Sequence, residues 1–194
     1  MLGPEVTVSG TEADFLATDG VCPVNQCRSS GQLRLGKHGV IIGVMDAITR
    51  IRQRRDAGKI TCATLRTVDR EDYLARADRI ATAHNFQPLG DGWLEISAYD
   101  AHIVAAAVLQ RDLAHDEEIM SRAEATELTE AFFDLAPEPH VYFTNGSWAE
   151  LFDEDNESPS DNVSFDPISS ATFDAGVICV GDGVTTILWV EDED

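Results

Sequence analysis

Cations are nearly missing from one end of this chain. Between Asp116 and Asp194 the only Lys or Arg is Arg122, against 21 Asp and Glu. Residues 1–115 carry the other 14 acids and 13 cations, so the net charge is −1 in the first part and −20 in the second. A surface that acidic repels nucleic acid and anionic membranes, and it attracts basic proteins at long range. Lysine is scarce throughout, with only Lys37 and Lys59 beside twelve arginines. Low lysine with high acid is also the look of salt adaptation, but that pressure acts on every surface. The confinement of the excess to one part favours a local interaction surface.

Other absences narrow the class. No stretch approaches the roughly 18 apolar residues of a membrane span. The N-terminus, MLGPEVTVSGTEADFLATDG, has neither a basic start nor an apolar run, so a secretory signal is not expected and a cytoplasmic protein is. The four cysteines (Cys22, Cys27, Cys62 and Cys179) form no Cys-x-x-Cys pair and no zinc pattern. They read as reduced thiols, with Cys62 and Cys179 acting as small core residues in strand-like runs. The Asn-x-Ser sites at Asn145, Asn156 and Asn162 carry no meaning without secretion. His38, His84, His102, His115 and His140 show no ligand spacing. There is no Gly-x-Ser-x-Gly elbow, no phosphate-binding glycine loop and no dinucleotide fingerprint. A cofactor, a metal and a catalytic residue set are therefore not expected from motif, although a small hydrolase or transferase with a site assembled from distant residues stays open.

What is present reads as alternating helices and strands. Residues 1–38 look like an irregular lead-in with a short helical turn at 12–17, and 39–194 like one α+β domain whose part 116–194 is strongly acidic. Ile41, Val44, Met45, Ile48 and Ile51 recur at helical spacing within 39–57, and Gly58 is a natural stop. Ile60 to Arg66 is β-branched and strand-like. Asp69 is placed to cap a helix bearing Tyr73, Ala77, Ile80, Ala81 and His84. Gly90-Asp91-Gly92 turns into an alternating strand, Trp93 to Ala98. Asp100 is placed to cap a broad apolar helix, and another helix is expected from about Asp116 to Leu135, ended by Pro137 and Pro139. His140 to Thr144 is a short strand, followed by one helical turn at 147–152. Residues 153–162 form an acidic loop. The chain closes on strands 176–180 and 184–190 joined through Asp182-Gly183, a hairpin signal. The class is α+β (or α/β), with a mixed sheet of about five strands, three to four helices and a terminal hairpin.

The candidate contacts follow the charge. They are Asp153, Glu154, Asp155, Glu157 and Asp161 in the loop, and Glu191, Asp192, Glu193 and Asp194 on the tail, with Trp148 and Trp189 as aromatic anchors. Charges speed encounter, and a desolvated aromatic supplies affinity. Two classes of acidic binder use this logic: immunity-type inhibitors of nuclease toxins, and DNA mimics that occupy DNA-binding proteins. Asp153-x-Asp155-x-Glu157 begins like a calcium loop, but Ser158 and Ser164 stand where its glycine and bidentate glutamate belong. The stripe Arg50, Arg52, Arg54, Arg55 and Lys59 lacks stacking aromatics for direct nucleic-acid binding. It pairs with the acidic part of the same chain or with a second copy, the latter giving a homodimer. The expectation is an acidic inhibitor of a basic or nucleic-acid-binding protein. The other classes are the enzyme above and a structural or assembly subunit, marked by a large apolar self-interface.

Overall fold

Strand residues Ile178, Ile187 and Trp189 turn one way while Val177, Cys179 and Leu188 turn the other, and all six are fully buried. A strand reads as continuously apolar when both faces of its sheet are covered. The computed structural model shows that arrangement. It describes residues 47–67, 71–153 and 163–193; the lead-in 1–38, the turn at 12–17, Cys22, Cys27, Asp69, the loop residues 154–162 and Asp194 lie outside them.

The elements in order are a helix with described residues 47–54 (α1), β1 (Lys59–Arg66), α2 (Tyr73–Ala83), a 3₁₀ turn (Gly90–Gly92), β2 (Leu94–Ile96), α3 (Ala98–Gln110), α4 (Arg122–Phe133), β3 (Val141–Thr144), α5 (Trp148–Phe152), β4 (Phe173–Val180) and β5 (Val184–Asp192). The strands form one five-stranded sheet in the order β1-β5-β4-β3-β2. The fold is α+β and ends in the β4–β5 hairpin, as the sequence predicts. Every neighbouring pair is antiparallel, so the sheet is not mixed, and the described residues hold five α-helices where three to four were expected. No helix of the described residues is long and apolar enough to cross a membrane.

One face of the sheet packs Cys62, Val177, Cys179, Leu188 and Val190 against Ile51 of α1, Val104 and Val108 of α3, and Leu128 and Phe132 of α4. The other packs Ile178, Val180, Ile187 and Trp189 against Ala77 and Ile80 of α2, Phe86, Trp93 and Ile168. Each face therefore closes its own core on a shared sheet.

Several boundaries differ from the sequence reading for local chemical reasons. Ser97, not Asp100, caps α3. Its hydroxyl accepts from the Asp100 amide at 3.1 Å and donates to Oδ2 of Asp100 at 2.7 Å, a reciprocal cap that ends β2 early. Asp72 occupies the N-cap position of α2. Helix α4 starts only after Ser121, because Asp116 takes φ +55° and Arg111 bridges Glu118 across the intervening loop. At the hairpin, Gly183 takes φ +66° while Asp182 stays outside the left-handed region, so one residue rather than two makes the positive-φ turn.

Cys62 and Cys179 are free thiols with no exposed surface, and burial pushes both up to about 12. The thiolate is the reactive form. Both are therefore expected to stay unmodified when the native protein meets iodoacetamide near neutral pH, and to react once it is unfolded. Peptide mass mapping reads this directly, and native-state alkylation of either would contradict the two-sided core.

Candidate partner-binding groove

The charge asymmetry along the sequence is partly cancelled in space. Among the described residues five ion pairs join cations of the first part to acids of the second: Arg50–Glu127 at 2.9 Å, Arg54–Glu124 at 2.5 Å, Arg55–Asp192 at 2.8 Å, Lys59–Glu191 at 2.6 Å and Arg111–Asp116 at 2.7 Å. Helix α1 thus lays its arginines against the acids of α4. Arg54 holds Glu124 through two bonds, and this contact lowers the Glu124 carboxyl below its ordinary range. Arg52 instead donates to the Cys62 carbonyl at 2.7 Å. The basic stripe is spent within the chain.

Burial sorts the predicted contact residues. Trp189 is fully buried between Phe86 and Trp93, with ring centroids 6.2 and 6.0 Å away. The expectation of an aromatic anchor there is corrected: β5 is a central strand, and its odd-numbered positions face the α2 core. Asp192 is corrected too. It lies on β5, 1% exposed, and its Oδ2 accepts from Arg55 Nη2 and from the Leu113 amide, each at 2.8 Å. Gly58 permits this approach, because it takes φ +59° and an added Cβ would stand 1.6 Å from Asp192 Oδ1. Glu191 is half-buried against Lys59, and Glu193 is exposed and accepts from the Thr172 hydroxyl at 3.2 Å. Asp153 is half-buried at the end of α5. Glu154, Asp155, Glu157, Asp161 and Asp194 lie outside the described residues.

Trp148 is 3% exposed, so it offers no protruding ring, yet it forms the floor of a groove of about 600 Å³. Its indole N–H donates to Asn145 Oδ1 at 2.8 Å. Its ring lies 5.8 Å from Phe152, nearly parallel at 13°, and 4.9 Å from Phe165. Leu151, 40% exposed, and Phe173 extend the apolar lining. The opposite wall is the loop after α3, with Arg111, Asp112, Leu113 and Asp116. The groove exists because a buried carboxylate fixes its floor. Asp174 accepts from Asn145 Nδ2 at 2.6 Å, from the Ile168 and Ser169 amides at 3.0 and 2.8 Å, and from the Ser169 hydroxyl at 2.8 Å. This ties the segment carrying Phe165 to the segment carrying Trp148.

Asp112 also lines a second cavity of about 460 Å³, with Gly58, Lys59, Ser170, Ala171, Glu191, Asp192 and Glu193. Four carboxylates and one ammonium make it acidic. Among the described residues no group of three or more His, Cys, Asp or Glu is arranged to hold a metal ion. Burial works to raise the Asp112 carboxyl, but the backbone N–H groups of His115 and Ala114, both at 2.9 Å, then the charges of His115 and Arg55, outweigh it. The carboxyl is held below its ordinary value. Its titration, followed by carboxyl ¹³C shifts, is expected to show a midpoint under the reference of about 3.9. The stability it adds is full above that reference and is lost as pH falls through the lower folded value. A midpoint at or above the reference would contradict the geometry of this loop.

The residues that the sequence reading missed are Asp112, Asp116, Leu151, Phe152, Phe165 and Phe173. They come from four separate segments, and the only local hint is that Phe152 and Phe165 flank the acidic run 153–162. No protein-family model, no curated protein and no solved structure matches the chain.

Proposed function

We propose that this chain is an acidic, non-enzymatic binding protein of the cytoplasm that docks on and inhibits a basic partner, a nuclease toxin or a DNA-binding protein. The observation that carries the reading is the groove floored by Trp148, Phe152 and Phe165 and walled by Asp112 and Asp116. An apolar centre excludes water and supplies affinity, while carboxylates at its edge steer a cationic partner and fix its orientation. The excess of acid over base in 116–194 adds long-range attraction even after the five internal pairs are formed. The same chemistry serves an inhibitor that covers a nuclease's basic site and one that competes with DNA phosphates.

The test is capture. The full chain is immobilised, lysate of its source organism is passed over it, and bound proteins are released by a salt gradient. The reading predicts one basic nuclease or DNA-binding protein, retained stoichiometrically and released at moderate salt. Retention of nothing, or only of proteins indifferent to salt, would sink it.

A further inference from the structure

The two cavities that share Asp112 differ in chemistry, one aromatic and one acidic. We propose that they form a two-socket site for an arginine beside an apolar residue in the partner's chain, the apolar side chain entering the groove and the guanidinium the acidic cavity. This rests on the binding function proposed above and specifies what that surface recognises.

Three observations support it. First, the acidic cavity presents Asp112, Glu191 and Glu193, and Lys59 is the one cation among its described lining residues, while Arg55 behind the wall is engaged by Asp192. The Lys59 side chain is 70% exposed, so an incoming cation can take its place beside Glu191. Second, Asp192 closes the wall of this cavity with Oδ1 buried and without a hydrogen-bond donor, although Oδ2 has two. That oxygen lies against Gly58, which lines the same cavity. A buried acceptor left unpaired raises the free energy of the unbound state, and a cation held in the adjoining cavity offsets part of that cost through its charge. Third, Asp112 lines both sockets, so the two are adjacent and a short ligand that touches this residue can reach each of them. Arginine suits the acidic socket better than lysine. Its planar fork engages two carboxylate oxygens at once and is less strongly hydrated than an ammonium.

The test uses the full ¹⁵N-labelled chain at low salt. The probes are acetyl-leucyl-arginine amide and the same peptide with citrulline, the neutral isostere of arginine, each titrated into the millimolar range. The arginine peptide is expected to shift amides at 58–59, 170–171 and 191–193 together with those at 148–152 and 165. The citrulline peptide is expected to bind roughly three- to fivefold more weakly, its shifts confined to the groove. The variant Glu191→Gln/Glu193→Gln is expected to bind the two peptides alike. Equal binding of both peptides by the wild type, or groove shifts alone with the arginine peptide, would overturn the two-socket site and leave the groove reading standing. If neither cavity responds, both proposals fall.

Discussion

Replacing Asp192 with alanine is expected to destabilise the protein by about 3–5 kcal/mol, the range for stranding one member of a buried ion pair. Arg55 is 2% exposed and packs beneath three chain segments. Its Nε donates to the Val108 carbonyl at 2.7 Å, Nη1 to the Ala57 carbonyl, and Nη2 to Asp192 at 2.8 Å and to the Arg111 carbonyl at 3.3 Å. One guanidinium therefore ties the end of α1, the end of α3 and the last strand together. Loss of the carboxylate leaves a buried cation with carbonyl partners only, and it leaves the Leu113 amide unpaired. Arg55→Ala is expected to cost a similar amount, because it strands the carboxylate instead. The double replacement Arg55→Ala/Asp192→Ala should lose much less than the sum of the singles, since no charge is then left buried. Urea denaturation of all four proteins closes the cycle. Additive losses would show that the two side chains act independently, against the structure.

The second large effect is at Asp174. Its carboxyl group is fully buried and is satisfied by four neutral donors rather than by a cation. Asp174→Ala strands the Ile168 and Ser169 N–H groups and the donor of the Ser169 hydroxyl, while Asn145 Nδ2 keeps the backbone carbonyls of Asp166 and Asp174 at 3.1 and 3.2 Å. At about 1–3 kcal/mol for each buried donor left unpaired, and with some regaining water, the expected loss is about 3 kcal/mol or more. It should also be local. Hydrogen exchange at Ile168 and Ser169 is expected to accelerate more than exchange in β1, and peptide binding in the groove should weaken, because Phe165 is held through this carboxylate. Uniform loosening of the whole sheet would contradict the assigned role.

These two carboxylates show where sequence reading succeeds and where it stops. Strands β1, β3, β4 and β5 were legible, because runs rich in β-branched and aromatic residues next to turn residues depend on local chemistry alone. So were Ile48 and Ile51 of α1 (Ile41, Val44 and Met45 lie outside the described residues) and Ala77, Ile80 and Ala81 of α2, although Tyr73 at its start is exposed. Asp192 and Asp174 were not legible as core residues. Asp192 sits in the run Glu191-Asp192-Glu193-Asp194, which composition reads as a solvated tail, yet the pleat of β5 turns Asp192 inward toward Arg55, a residue distant in sequence but adjacent in space. Trp189 beside those acids was expected as an exposed anchor, but its strand position sends it into the opposite core. Trp148 was expected as an anchor as well; what no local pattern shows is that it is a buried floor, completed by Phe165 and Phe173. The charge split itself was plain in the sequence. Its partial cancellation by α1 was legible only as one of two alternatives, pairing within the chain or with a second copy, and the fold supplies the first.

The most direct test of the central claim is the affinity of the captured basic partner for the wild type and for Leu151→Lys across a salt series. Leu151 is exposed at the groove and bears no part of either core, so the change probes the surface rather than the fold. The account predicts that wild-type affinity falls steadily as salt is raised. It also predicts that the variant binds about fivefold or more weakly at every salt concentration, as for a residue at the centre of an interface. Equal affinity of the two proteins, or an affinity indifferent to salt, would contradict an acidic, aromatic-floored groove as the place where this protein meets its partner.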